Sequence, residues 1–458
     1  MIVSDAFRGK RYAVLGLARS GLATVEALLA SGADVVAWDS DEAVRAALLE
    51  APPLQGRGWG GDFPQALAPL TVPTPSPSPE GEGGFFTLSD PLTIDLTGFD
   101  GVVVSPGVPI NHHPIADAAR GANVPLIGDI ELFAQARASL PPHKVVGITG
   151  TNGKSTTTAL VHHILQTAGV PCLMGGNIGL PILGRDPLPA GGVYVLELSS
   201  YQIDLTFTLD CDVAVLLNIT PDHLDRYDGF EGYAASKARL FTMQHVDKLA
   251  VIATQDDPSR MIASRINHKL SRVNAQSISD QSRWPSLQGP HNAQNVAAAI
   301  AVARALDVDA DAIERGLATY PGLPHRMERV REREGVLFVN DSKATNATST
   351  APALAAYPAI HWILGGQAKT DELDACVPHF GHVRAAYTIG ESGPMFADLL
   401  VPHLPVDQCV TLDVAVARAT AASKPGETVL LSPACASFDQ FTDYEARGEA
   451  FRAAVEAL

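Results

Sequence analysis

Short apolar runs alternate along the chain with longer stretches of helical periodicity. Residues 11–16 form an apolar run and 20–30 an Ala- and Leu-rich helical pattern. Residues 34–39 form a second apolar run that ends in an acid, Asp39. This predicts a βαβ start. A further strand is predicted over 101–107, with a turn at its carboxyl end. The alternation then resumes, and 143–149, 192–198, 212–220 and 248–253 read as buried strands. Residues 294–306 read as an Ala-rich helix, and 336–340, 359–364, 385–389 and 428–431 as later strands. Pro- and Gly-punctuated stretches at 140–142 and 319–324 are candidate linkers. The expected fold class is α/β with three domains in series. They are a Rossmann-like domain over 1–141, a central P-loop ATPase-type parallel-sheet domain over 142–321, and a Rossmann-like domain over 322–458.

One stretch breaks this pattern. Residues 71–84 are rich in Pro, Ser and Gly and cannot pack a core, so a disordered insertion in a surface loop is expected there. The rest is ordinary for a globular chain with large cores, at 46% apolar and 18% charged residues. A net charge of −17 argues against a nucleic-acid partner, which would require clustered Lys and Arg. Free nucleotides remain possible, because local glycines, lysines and Mg²⁺ can hold them. The five cysteines are scattered and form no Cys-x-x-Cys pair, so neither a disulfide framework nor a zinc site is indicated. The N-terminus lacks a signal-peptide core and no apolar stretch is long enough to span a bilayer. The expected compartment is a reduced cytoplasm.

The densest chemistry follows the strand predicted at 143–149. Gly150, Thr151, Asn152, Gly153, Lys154, Ser155 and Thr156 join that strand to a helical pattern running to Gln166. A glycine turn between a strand and a helix start points backbone N–H groups at an anion. Lys154 is then suited to the outer phosphates and the Ser155 hydroxyl to Mg²⁺. The spacing is one residue longer than the usual P-loop, since five residues separate Gly147 from Gly153. The chain is therefore expected to bind ATP or GTP.

Other clusters also leave predicted strand ends, where open parallel sheets place ligands. Glu197 closes the strand at 192–198 and suits Mg²⁺, a hard cation, with capping of a neighbouring helix as the lesser alternative. Pro221, Asp222, His223, Asp225 and Arg226 follow the strand at 212–220. On spacing alone, Lys237 in the next helix is a solvated surface lysine. Asn292, Gln294 and Asn295 open the Ala-rich helix, and the pattern favours capping for such amides. Residues 340–346 and 432–441 are two polar clusters, each suited to a small-ligand pocket or a plain capped turn. Near the N-terminus, Gly16, Ala18 and Gly21 make a degenerate dinucleotide fingerprint, supporting a nucleotide-like ligand more than NAD itself.

Together these motifs resemble the Mur ligases, ATP-dependent amide-bond-forming enzymes of peptidoglycan synthesis. The resemblance rests on residues 150–156, 196–202, 218–227, 322–326, 340–346 and 432–441, and it covers nearly the whole chain outside the insertion. The last two motifs look most like the branch that adds D-glutamate to a UDP-linked muramoyl-L-alanine, through an acyl phosphate.

This resemblance implies roles residue by residue. Residues 150–156 would cradle ATP, with Lys154 at the γ-phosphate. Ser155 and Glu197 would hold one Mg²⁺ and His223 a second, aided by Lys237 as a CO₂-derived carbamate. Asn295, Arg326 and Asp341 would fix the adenosine. Leu17, Ser20, Asp39, Ser40 and Gly107 would surround the UDP group, and Asn177 would touch the muramoyl part. Asp41 stands where some relatives carry Arg near the uracil. Lys343, Thr345, Lys369, Ser437, Phe438 and Tyr444 would form the D-glutamate pocket. The implied partners are these small molecules, with the enzyme a monomer. Closure of the last domain on ATP is a further expectation. Three alternatives compete: a related ligase adding another residue, a nicotinamide-dependent oxidoreductase built on the first domain, and a non-enzymatic nucleotide switch.

Overall fold

A computed structural model of the chain describes residues 1–49, 84–222 and 226–458; the stretch expected as an insertion lies, apart from Gly84, outside them. The described residues form three sheets. The first contains β1 (Arg11–Leu15), β2 (Asp34–Trp38), β3 (Phe86–Leu88), β4 (Gly101–Val104) and β5 (Leu126–Ile127), in the order β3-β2-β1-β4-β5. All its pairings are parallel. The second contains β6 (His143–Thr149), β7 (Cys172–Gly176), β8 (Gly192–Glu197), β9 (Val213–Leu216), β10 (Leu249–Ala253) and β11 (Lys269–Val273), in the order β11-β10-β9-β6-β8-β7. The third contains β12 (Glu328–Arg333), β13 (Val336–Asn340), β14 (Ile360–Gly365), β15 (Val383–Ile389), β16 (Val406–Val410) and β17 (Thr428–Leu431). Its order is β12-β13-β17-β14-β15-β16, with only β12–β13 antiparallel.

The central strands of each sheet are apolar because both their faces are covered, whereas the edge strands β11, β12 and β16 carry polar, partly exposed residues. In β1, Tyr12 and Val14 enter one core while Ala13 and Leu15 enter another. In β14, Trp362 and Leu364 face one cluster and Ile363 the opposite one. This is the period-two alternation of a strand buried on both sides.

By density of contacts the chain divides into two compact units: residues 1–272 with 301–307, and 273–300 with 308–458. The first unit holds the first two sheets, joined by one apolar core that runs through Phe133, Leu140, Val145 and Tyr194. The stretch at 140–142 is thus packed against this core at Leu140.

The strand expected over 212–220 ends at Leu216. Beyond it Asn218 turns to bond the phosphate loop, which satisfies its backbone outside any ladder. The Ala-rich helix begins at Pro290, before the amides rather than at them.

Candidate active site

The β6–helix connection is built as a phosphate cradle. Gly153 takes φ +84° at the N-cap of the helix Lys154–Thr167, a conformation that favours glycine. The loop is pinned from β9's extension. Thr151 N–H donates to Asn218 O at 2.9 Å and Asn152 N–H to Asn218 Oδ1 at 2.8 Å. The Asn218 amide returns a bond to Asn152 O at 3.1 Å. Lys154 Nζ folds back onto Gly150 O at 2.9 Å and Thr151 O at 2.8 Å. Ser155 is buried at the first turn of the helix.

Glu197 ends β8, in register with Ile148 of β6. It caps no helix: Oε1 accepts from Asn177 Nδ2 at 2.8 Å, and the Asn177 N–H donates to Glu197 O at 2.8 Å. Its other oxygen, Oε2, is buried and makes no hydrogen bond among the described residues. A buried carboxylate oxygen without a donor is costly unless a cation takes it.

The expectation of a surface position for Lys237 is overturned. The residue is 1% exposed, on the inner face of the helix Gly229–Thr242. Its Nζ donates to Gly150 O at 2.9 Å and lies 4.6 Å from the Tyr233 ring centroid. Burial, then the charge of Lys154, pushes its pKa well below the usual lysine range. Asp222, Asp204 and Glu197 oppose that shift without cancelling it. His223 lies outside the described residues.

Mg²⁺ fits this donor set. Glu197 offers a free carboxylate oxygen and Ser155 a hydroxyl at the phosphate loop. No group of three or more His, Cys, Asp or Glu side chains gathers among the described residues. Such a site would complete its shell with phosphate oxygens and water, as Mg²⁺ sites commonly do.

The residues expected around the UDP group lie at the carboxyl end of the first sheet's strands and in the helix and loop beside them. Asp39 Oδ2 accepts from Leu17 N–H at 2.6 Å and its Oδ1 from Asp41 N–H at 2.9 Å. The Leu17 side chain is buried, whereas Gly107 is exposed. Ser20 lies in the first turn of the helix Arg19–Ala30. Arg45 Nη1 donates to Asp39 O at 2.7 Å and Ser40 O at 2.9 Å.

In the second unit, Asp341 follows β13 and is buried. Its oxygens accept from Met327 N–H at 3.1 Å and Ser432 Oγ–H at 2.8 Å. Burial raises its pKa to about 7, against the two hydrogen bonds and the Arg326 charge. Lys343 Nζ sits 3.6 Å from the Tyr444 ring centroid. Ser437 is buried, Lys369 is exposed, Thr345 is partly buried and Phe438 is 68% exposed. Two amides of the Ala-rich helix bond elsewhere: Asn295 Nδ2 donates to Asn292 Oδ1 at 3.1 Å, and Asn292 Nδ2 to Gln288 O at 3.0 Å. Asn346, by contrast, does cap, in a reciprocal box with Ser349.

Sequence reasoning passed over Arg447, which joins the two polar clusters. It is 1% exposed. Its guanidinium donates to Ser342 Oγ (3.0 Å), Ser342 O (2.9 Å), Cys435 O (3.0 Å), Ala436 O (3.1 Å) and Gly365 O (3.5 Å). Nothing local marks it, since its partners, apart from Ser342 Oγ, are backbone carbonyls of residues 342, 365, 435 and 436.

Comparison with known proteins agrees with this geometry. Residues 148–287 match the Mur ligase middle domain and 325–435 the Mur ligase glutamate ligase domain. The chain is 63% identical to a UDP-N-acetylmuramoylalanine--D-glutamate ligase of Sphingopyxis alaskensis, over 100% of both chains. It is 57% identical to one from Zymomonas mobilis, again over 100% of both. Among solved structures it is similar to the UDP-N-acetylmuramate-alanine ligase of Thermotoga maritima, with a TM-score of 0.55 at 15% identity, covering 98% of this chain and 99% of that one. That likeness speaks to the fold. The strand-end clusters, the long-spaced phosphate loop and the full-length identity converge: this chain belongs to the Mur ligases, in the family of those UDP-N-acetylmuramoylalanine--D-glutamate ligases.

Proposed function

We propose that the chain joins D-glutamate to UDP-N-acetylmuramoyl-L-alanine with hydrolysis of ATP to ADP and phosphate. The observation that carries this reading is the Gly150 turn, where Lys154 and Lys237 converge on one carbonyl oxygen and Glu197, at the end of the neighbouring strand, keeps a buried oxygen without a hydrogen bond among the described residues. The L-alanyl carboxylate is a poor acyl donor. Its oxygen attacks the γ-phosphorus and ADP leaves, giving an acyl phosphate. The D-glutamate amine then attacks the carbonyl carbon, loses a proton, and phosphate departs.

The phosphoryl step calls for positioning and charge neutralisation more than covalent help. The backbone of 150–156 cradles the phosphates, and Lys154 leaves its loop carbonyls for the γ-phosphate. Ser155 and Glu197 would hold one Mg²⁺ and His223 the second; when bound, Mg²⁺ offsets the charge developing on the transferred group. Lys237 is suited to carbamylation because burial lowers its pKa and so favours the uncharged amine. That amine would attack CO₂ and release a proton, converting a cation into an oxygen ligand.

Adenosine is assigned to Asn295, Arg326 and Asp341. UDP is assigned to Leu17, Ser20, Asp39, Ser40 and Gly107, and the muramoyl part to Asn177. D-Glutamate is assigned to Lys343, Thr345, Lys369, Ser437, Phe438 and Tyr444. The functional partition follows the three sheets, with 1–141 for UDP, 142–321 for ATP and 322–458 for the amino acid. No helix among the described residues is long and apolar enough to cross a membrane, and all five cysteines are free. The proposed state is a monomer in the cytoplasm.

The test is phosphate release from MgATP with UDP-N-acetylmuramoyl-L-alanine and a panel of amino acids that includes both glutamate enantiomers. Release that requires D-glutamate, with the matching mass gain in the nucleotide product, is expected. Release with a different amino acid would refute the pocket assignment.

A further inference from the structure

Arg226 has no part in the chemistry above, yet it is held by an unusual set of contacts. It leaves the carboxyl edge of the second sheet and reaches a loop of the first. Its guanidinium donates to Pro106 O at 3.5 Å and Val108 O at 3.3 Å. Those are the carbonyls on either side of Gly107. The same guanidinium lies 3.6 Å from the Tyr201 ring centroid, a close cation–π contact. Its own backbone carbonyl accepts from the Asn111 side-chain amide, farther along the same loop. One residue in the turn that follows β9 therefore grips the 106–111 loop at three points.

The other side of that loop leans on the glycine turn of β1. Ser105 Oγ–H donates to Gly16 O at 2.8 Å, and Ser105 N–H to Leu15 O at 3.0 Å. Between these two anchorages Gly107 faces open space, for a Cβ placed there would meet nothing within 4 Å. Tyr201, beneath the guanidinium, follows Glu197 by four residues and stacks on Tyr227 at 6.2 Å. Tyr227 packs on Tyr233 at 5.5 Å, whose hydroxyl lies 3.2 Å from Thr151 Oγ1 of the phosphate loop. A substrate bound at Gly107 and reacting at the γ-phosphate must span this distance, so its two ends need a fixed separation.

We propose that Arg226 is a positioning residue for the UDP-linked substrate. It shapes the Gly107 loop from the turn that follows β9 and sets the UDP site relative to the phosphate cradle. This rests on the assignment of Gly107 to UDP. Arginine is suited to the task, because its planar fork can take two carbonyls while its face stacks on a ring; lysine cannot do both.

The test uses the full chain with Arg226→Ala, Arg226→Lys and Asn111→Ala. Steady-state kinetics are measured against each substrate, with calorimetric binding of UDP-N-acetylmuramoyl-L-alanine. Arg226→Ala is expected to raise KM for the UDP substrate about tenfold or more, with kcat and the KM for ATP changed less than about threefold. Calorimetric Kd should follow the same order, with Arg226→Lys and Asn111→Ala intermediate. An unchanged UDP-substrate KM in Arg226→Ala overturns the inference. So does an equal rise in every KM with a lowered melting temperature, which marks a merely structural role. If Arg226→Ala does not fold, Asn111→Ala decides, and an unchanged KM there is equally fatal. A wild-type chain that fails to bind the UDP compound overturns the functional reading together with the inference. A wild type that binds it beside unaltered variants overturns the inference alone.

Discussion

Lys154 and Lys237, far apart in sequence, both direct Nζ at the carbonyl oxygen of Gly150, each at 2.9 Å. Two ammonium groups at one acceptor repel, and one of them is buried. The buried one gives way, and its pKa falls well below the ordinary lysine value. The arrangement favours the uncharged form of the Lys237 amine beside the Gly150 turn.

Lys237 should therefore be a stability liability. Its folded pKa is depressed, so below the unfolded value of 10.5 the unfolded chain binds more protons at this group than the folded chain does. The penalty is largest at low pH and fades as pH rises toward that value. Lys237→Met is expected to abolish phosphate release and yet raise the melting temperature at pH 7, with the gain shrinking by pH 10. Melting curves of both proteins across this range check it.

Glu197→Gln preserves an acceptor for Asn177 Nδ2 while removing the charge from the unpartnered oxygen. We expect kcat to fall by about a hundredfold or more, with the melting temperature little changed, since no ion pair is broken. Phosphate release at varied Mg²⁺ would check this, and wild-type turnover in the variant would refute the metal assignment.

Asp341 has a folded pKa raised to about 7 from an ordinary 3.8. Between those values the folded chain holds a proton that the unfolded chain has lost, so stability falls as pH rises through the window. The slope is at most about 1.4 kcal/mol per pH unit. Asp341→Asn should flatten the stability profile between pH 4 and pH 7, as denaturant titrations at several pH values would show.

Arg447→Met removes a cation whose five hydrogen bonds hold the loops after β13, β14 and β17. A loss of about 3 kcal/mol or more is expected, because several buried carbonyls lose their donor. Among properly folded molecules the KM for D-glutamate should rise more than that for ATP. Arg447→Lys should rescue little, since one ammonium cannot reach carbonyls in three directions. Denaturant melts and substrate kinetics test both parts.

Gly21→Ala puts a Cβ 1.8 Å from Gly16 O, so the helix Arg19–Ala30 must move off β1. Binding of the UDP substrate should be lost by at least about tenfold while ATP binding persists, because the collision is confined to the carboxyl end of the first sheet's strands. Calorimetry with each ligand separates the two.

What the sequence determined by itself was local. Parallel strands buried on both faces are continuous apolar runs, so β13 and β17 were legible to the residue and β1, β2, β4, β6, β8, β10, β14 and β15 to within three, while the edge strands β3, β5, β7, β11, β12 and β16 gave no such signal. The glycine turn between β6 and its helix was legible because its glycines, Lys154 and Ser155 are contiguous in the chain. Glu197 was marked by its place at a strand end. Tertiary structure decided the rest. Lys237 is like any helical lysine until Tyr233 and the Gly150 loop close over it. The strand toward Thr220 stops at Leu216 because Asn218 is drawn to the phosphate loop, which no apolar pattern encodes. Arg226 and Arg447 are satisfied largely by backbone carbonyls from other elements. A carbonyl is present at every residue and leaves no mark on composition, so only the folded chain shows which ones a buried charge will find.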